Sequence, residues 1–346
     1  MPMPTDSVSA ASALVVTSIN RPNEILQALA DGSAKAGVEF IVIGDTKSPP
    51  DFTLEHCRFF DIAAQLATGF TFAEACPTRH YARKNIGYLI AMRQGAQILI
   101  ETDDDNWPTE AFFAPRRRNQ HARGVRDAEW VNVYRYFSDA VIWPRGLPLD
   151  AVHAAIPPYE TLPDDERDCP IQQGLADENP DVDAIYRLLL PLPQRFRRDR
   201  AVAIGPGAWC PFNSQNTAWW PDAFPLLYLP AFCSFRMTDI WRSLVAQRIA
   251  ADNGWWILFH EATVWQERNE HNLMRDFADE VPGYLHNRQI ASKLQSLPLR
   301  SGREHLGSSL RKCYEALIEL GVVGREELAL IDAWLADLRG LGAVES

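Results

Sequence analysis

AQILIETDDDNW, residues Ala96–Trp107, runs from a short apolar stretch straight into three consecutive aspartates, Asp103, Asp104 and Asp105. Ile98, Leu99 and Ile100 have the length and β-branched content of a buried strand. In open α/β sheets ligands bind just beyond the carboxyl ends of such strands. Three adjacent carboxylates repel one another unless a cation lies among them, so the triplet points to a hard divalent metal with oxygen ligands; the plain alternative is a solvated acidic turn. Working outward, His80–Gly95 places Ala82, Ile86, Leu89 and Ile90 on one helical face and ends on a glycine suited to a C-terminal cap. Upstream, Ala13–Ile19 and Val38–Ile43 read as buried strands separated by a helix carrying Ile25, Leu26 and Leu29, and Arg58–Ile62 as a third, short strand. Strands separated by a helix imply parallel pairing through a right-handed crossover. The first hundred residues therefore predict a β-α-β-β-α-β unit of the nucleotide-binding type.

Beyond Trp107 the pattern loosens. Trp130–Phe137 reads as a strand, Asn179–Leu190 as a helix opening at Pro180 and Asp181, and the residues after Thr238 as a helix with the stripe Ile240, Trp241, Leu244, Val245 and Ile249. Trp255–Phe259 reads as a last strand, and from Gly302 onward two amphipathic stretches predict a terminal helical appendage. The expected organisation is a flexible leader over 1–11, one α/β domain over 12–295 and the helical appendage over 296–346. With 47% hydrophobic and 23% charged residues in 346, the chain has the composition of a globular protein with a sizeable core. A net charge of -11 argues against non-specific nucleic-acid binding. The six cysteines are scattered without a CxxC pair, as expected of reduced thiols. No signal peptide and no run of roughly 20 apolar residues is present, so a cytoplasmic location is expected.

Six ordered blocks carry a resemblance: RKNIGYLIAMRQGAQILIETDDDN (83–106), NVYRYFSDAVIWPRGLPL (132–149), QQGLADENPDVDAIYRL (172–188), PFNSQNTAWW (211–220), FRMTDIWRSLVAQRI (235–249) and VWQERNEHN (264–272). Together they closely resemble the STELLO-type glycosyltransferases, and more weakly the reversibly glycosylated polypeptides, the UDP-arabinopyranose mutases. The resemblance covers roughly residues 12 to 290, leaves the last helices uncovered, and implies a GT-A fold. That is a Rossmann-like α/β domain holding a nucleotide sugar through a metal on a DxD motif. Plant STELLO proteins carry a transmembrane anchor that has no counterpart in this sequence.

On that reading Asp103 and Asp105 match the DxD positions, with Asp105 the expected direct ligand of Mn²⁺ or Mg²⁺ and Asp104 on the opposite side of an extended chain. His271, inside the RNEH block, is the preferred third ligand, with His260 as the alternative. Arg83, with Lys84 beside it, is expected to reach the diphosphate with Asn85 nearby. Thr17, Ser18, Asn20 and Arg21 are expected at ribose or phosphate, and Asp45 at base or ribose. Arg145, Asn213, Gln215, Asn216 and Arg268 complete the expected sugar-nucleotide contacts. Arg187 joins them, although its spacing from Asp183 also suits an i,i+4 pair. Asp239 and Asp183 are the candidate catalytic carboxylates: one acts as general base toward an acceptor hydroxyl, or Asp239 instead binds sugar hydroxyls. The expected activity is transfer from a nucleotide sugar, a UDP-sugar first, to an unknown acceptor such as a glycan or other hydroxyl-bearing molecule. The alternatives are a nucleotide-sugar mutase and a non-catalytic binding or scaffold protein.

Overall fold

The computed structural model describes residues 11–267 and 272–345. Its first unit comprises β1 (Ser12–Thr17), α1 (Glu24–Ala36), β2 (Val38–Ile43), β3 (Arg58–Phe60), the short helices α2 (Ile62–Leu66) and α3 (Thr71–Ala75), α4 (Lys84–Arg93) and β4 (Ile98–Thr102). β1 lies between β2 and β4, parallel to both, and β3 extends the parallel set beyond β2. Alternation along β1 divides the side chains: Leu14 and Val16 pack with Leu26 and Leu29 of α1 on one face, while Ala13 and Val15 pack with Ile86 and Leu89 of α4 on the other. Helices on both faces of parallel strands are the doubly wound arrangement expected from the hydrophobic pattern, and the α/β, Rossmann-like class holds. α1 is capped at its start by the Asn23 side chain and at its end by Gly37 in the left-handed region, φ 67°.

The second half of the sheet is built from β5 (Asn106–Pro108), β6 (Asn119–Val125), the two-residue β7 (Glu129–Trp130), β8 (Asp164–Asp168) and β9 (Ile171–Asp177). After the single-turn helix α5 (Ala184–Leu189) come β10 (Ala201–Ile204), β11 (Ala208–Trp209), β12 (Asn216–Trp219), α6 (Thr238–Asp252) and β13 (Ile257–Gln266). The order across the sheet is β3-β2-β1-β4-β12-β9-β13-β10-β6-β8, with β5 pairing β13 and a separate β7–β11 pair. β12 runs antiparallel to both β4 and β9. Trp130–Phe137 does not form the expected strand: of its residues only Trp130 belongs to the two-residue β7, and Val133–Tyr136 coil into a 3₁₀ turn. Tyr134 and Tyr136 are buried there, so alternation and a tight turn present the same apolar count.

α7 (Leu273–Gln295), α8 (Leu306–Glu319) and α9 (Glu327–Gly340) complete the described chain. The last two do not stand apart from the core. Leu310, Leu317, Ile331 and Trp334 belong to the same apolar cluster as Leu89 and Trp241. Buried Glu327 accepts hydrogen bonds from the Ala231 and Phe232 amides and the Tyr228 hydroxyl, and Asp337 accepts from the Thr71 and Phe72 amides at the start of α3. None of the six cysteines is paired. No helix among the described residues is long and apolar enough to cross a membrane.

Candidate active site

The carboxyl ends of β1, β2 and β4 open onto two adjoining cavities. The outer, about 500 Å³, is bounded by Thr17, Ser18 and Asn20 after β1 and by Ile43, Gly44 and Asp45 at the end of β2. The inner, about 270 Å³, is bounded by Asp103, Asp104, Asp105, Arg145, Asp181, Asn213, Gln215, Arg236 and Asp239. Thr17, Tyr81, Asp104 and Phe235 line both, so the aspartate turn stands at their junction.

The chain does not stay extended through the triplet. The Asn106 amide donates to the Asp103 carbonyl at 3.3 Å, closing a turn that aims all three carboxylates at the cleft in different directions. Asp103 accepts from the Tyr81 hydroxyl at 2.9 Å and from the fully buried Lys84 ammonium at 3.1 Å. Asp104 accepts from Ser18 at 2.5 Å and Asn20 at 3.0 Å, tying the triplet to the end of β1. It therefore faces the site rather than its back, because alternation between faces ends where the strand turns. Asp105 accepts from the Gln266 amide at 3.0 Å. Burial, with the Asp103 charge adding to it, pushes the Asp104 carboxyl above its usual range despite the Ser18 and Asn20 bonds.

Opposite the triplet, Arg145 is clamped between two carboxylates. It donates to Asp181 at 2.8 and 2.9 Å and to Asp239 at 3.1 and 2.9 Å. Gly146 makes this possible: at φ 87°, a side chain there would also collide with Ile240 on α6, its Cβ falling 2.4 Å from a methyl carbon. Burial acts to raise the Asp239 pKa, but the Arg145 charge and hydrogen bonds, with Arg242 and Arg236 behind them, hold the carboxyl below its usual range. Asp239 is thus an ionised acceptor of hydrogen bonds and a weak proton acceptor. Arg236 is itself held by the buried Glu280 of α7 through two bonds of 3.0 and 2.8 Å.

Several expected contacts lie elsewhere. Asp183, a candidate catalytic carboxylate, caps α5: it accepts from the Tyr186 amide at 2.8 Å and the Trp143 indole at 2.7 Å, and it does not line the cleft. Asp181, two residues earlier and still outside the helix, takes the place at the site. Asn85 exchanges two hydrogen bonds with the Leu229 backbone, and Asn216 bonds Leu175 and Thr263 within the sheet. Arg83 lies under the outer cavity, bonded to Gln65 and the Cys76 carbonyl rather than extended toward the triplet. Arg21 is exposed and paired with Asp51, and Arg187 bonds the Pro180 carbonyl. His260 sits within β13, its Nδ1–H donating to the Glu261 carbonyl at 3.0 Å, and burial lowers its pKa to about 4. Arg268 and His271 lie outside the described residues. Tyr81, Phe235, Arg236 and Gln266 were not singled out from sequence, although the last three fall inside the resembling blocks.

The buried cap has a pH signature. Burial raises the Asp183 carboxyl from 3.8 to about 6. Because the folded pKa is above the unfolded one, the protonated form is the one favoured by folding. The contribution of Asp183 to stability is complete below about pH 4 and declines as pH rises through about 6. Urea unfolding of wild type and Asp183→Asn across pH 4 to 7 is expected to show a falling difference over that window; a difference independent of pH would contradict it.

The site's donor chemistry fits a hard cation. Five aspartates and two arginines line the inner cavity, a surplus of negative oxygen ligands. Among the described residues no three His, Cys, Asp or Glu side chains are gathered around one point.

A family model and two related sequences agree on the family resemblance. The STELLO glycosyltransferase family model matches residues 236–344, so the likeness continues through α8 and α9, which the sequence blocks had left uncovered. Two Arabidopsis thaliana proteins, described as probable glycosyltransferases STELLO2 and STELLO1, are each 26% identical over 349 aligned residues covering 95% of this chain. The chain spans about half the length of these relatives, 45% and 44% respectively. A solved mycobacterial protein aligns with 80% of this chain and 74% of its own at 11% identity and a TM-score of 0.41.

Proposed function

We propose that this chain, similar to the STELLO-type glycosyltransferases, transfers a sugar from a nucleotide sugar, most simply a UDP-sugar, to a hydroxyl-bearing acceptor. The observation that carries the reading is the aspartate turn at the junction of two cavities, one with room for a nucleoside and the other for a single sugar. The nucleoside is assigned to the ends of β1 and β2, where Asp45 and Asn20 offer polar contacts to base and ribose. The sugar is assigned to the inner cavity, where Asp181 and Asp239 accept from its hydroxyls. Arg145 donates to both and offsets part of their negative charge, and both orientations are fixed before substrate arrives. This favours Asp239 as a hydroxyl-binding group over a general base, since its depressed pKa weakens its pull on an acceptor proton.

Asp103 and Asp105 would hold Mn²⁺ or Mg²⁺, which when bound supplies positive charge to the departing diphosphate. Lys84 fixes Asp103 from beneath, Gln266 fixes Asp105 from β13, and Ser18 and Asn20 fix Asp104. Calorimetric titration of UDP is expected to show binding that tightens by about tenfold or more with Mn²⁺. Absence of UDP binding, or binding indifferent to the metal, would refute the reading.

A further inference from the structure

A cavity of about 750 Å³ is distinct from both donor cavities but adjoins the inner one, with which it shares Gln266. Two stretches of chain form a wall common to both. At the end of β13, Gln266 lines both, donates to Asp105 at 3.0 Å, and is followed by Glu267, whose amide donates to the Asp105 carbonyl at 3.0 Å. At the end of β9, Asp177, and just beyond it Glu178 and Asn179, line the large cavity, and two residues later Asp181 lines the inner one. A molecule held here would meet the donor sugar across Gln266 and Asp105.

The lining says what kind of molecule fits. Trp265 is 37% exposed on an otherwise buried strand segment, and it stacks on Trp107 with ring centroids 5.6 Å apart and planes 9° apart. The Trp107 indole N–H donates to Glu267 at 3.1 Å, so the aromatic pair is fixed from its far side. A flat, rigid indole beside amide and carboxylate groups suits the C–H face and hydroxyl edge of a pyranose. Both arginines of the lining are already neutralised: Arg195 by Glu178 at 2.6 Å and Arg198 by Asp177 at 3.0 Å. With Glu267 added, the lining carries a net negative charge, which disfavours phosphorylated and uronic acid ligands.

We infer that this cavity is the acceptor subsite and takes a neutral oligosaccharide, with Trp265 as its stacking platform. The assignment of an acceptor rests on the transferase reading above; the saccharide site itself does not.

The test uses the full chain and three defined probes, cellotriose, maltotriose and trigalacturonate, in calorimetric or saturation-transfer titrations. At least one neutral trisaccharide is expected to bind, and trigalacturonate to bind more weakly. Trp265→Ala is expected to weaken that binding by about tenfold or more, and Trp265→Phe to restore most of it. The inference is overturned if neither neutral probe binds wild type, if Trp265→Ala binds as wild type does, or if the acidic probe binds best. UDP titrations with Mn²⁺ on the same proteins separate the two readings. UDP binding without saccharide binding removes only the acceptor subsite; Trp265-dependent saccharide binding without UDP binding removes only the transferase assignment.

Discussion

Asp105→Ala is expected to lower sugar transfer or donor hydrolysis by about a thousandfold and to make UDP binding indifferent to Mn²⁺. The effect is predicted to be large because Asp105 lines the inner cavity and is bonded to Gln266, which also lines the proposed acceptor cavity, and because a hard cation there would lose one of its two assigned carboxylates. The substitution also releases Gln266, its partner at 3.0 Å, which loosens the wall shared with the larger cavity. The fold should survive, since the side chain borders a cavity and its backbone bond to Glu267 does not involve the carboxylate. Turnover of a panel of UDP-sugars, followed by UDP release and paired with thermal melting, measures both properties. A folded Asp105→Ala protein retaining turnover within tenfold of wild type would remove the triplet from the mechanism.

Arg242→Met is expected to destabilise the chain by about 3–5 kcal/mol. Arg242 on α6 and Glu101 on β4 are 1% and 0% exposed at the side chain and form bonds of 2.8 and 2.9 Å. Glu101 also accepts from the Trp219 indole at 2.9 Å and from the Tyr88 hydroxyl, while the guanidinium lies 5.0 Å from the Trp219 ring and donates to the Asn213 carbonyl at 3.2 Å. Removing the cation leaves Glu101 without its ion-pair partner in a site closed to bulk solvent, so the loss is the cost of an unpaired buried carboxylate. A double variant, Glu101→Leu with Arg242→Met, should regain most of that stability, because it removes both charges. Urea unfolding of the two single variants and the double variant checks this. A loss under about 1 kcal/mol for Arg242→Met would mean that the pair is solvated. Through Asn213 the same pair braces the loop bounding the inner cavity, so this buried charge links stability to the shape of the site.

Much of the site was legible because it sits where strands end. Ile98–Thr102 could be read as buried from its apolar run, and a carboxyl end in a doubly wound sheet is a place for ligands whatever follows it. Thr17, Ser18, Asn20, Asp45 and the triplet all line the cavities, as that topology requires. Residues elsewhere in the chain were harder. Asp181 and Asp183 stand two apart with the same chemistry, yet one faces Arg145 and the other is consumed as a helix cap. The difference is where α5 begins, which depends on local backbone and on Trp143, forty residues earlier in the chain. Asn85, Asn213 and Asn216 looked equally suited to a polar ligand, but only Asn213 reaches the cleft; Asn85 and Asn216 satisfy buried backbone groups.

The C-terminal helices show the same limit. Their amphipathic stripes predicted helices, and helices formed; that they close the main core depends on Glu327 and Asp337 meeting amides some 95 and 266 residues away in sequence. By itself the sequence determined the elements at the parallel edge of the sheet, their hydrophobic faces and the acidic turn at a strand's end, because these follow from local periodicity and the fixed geometry of strands and crossovers. Only the tertiary structure decided which of the many aspartates face the cleft. A carboxylate becomes a ligand-binding group, a helix cap or a buried ion-pair partner according to the donors that distant segments bring to it, and those segments are matched only when the chain folds.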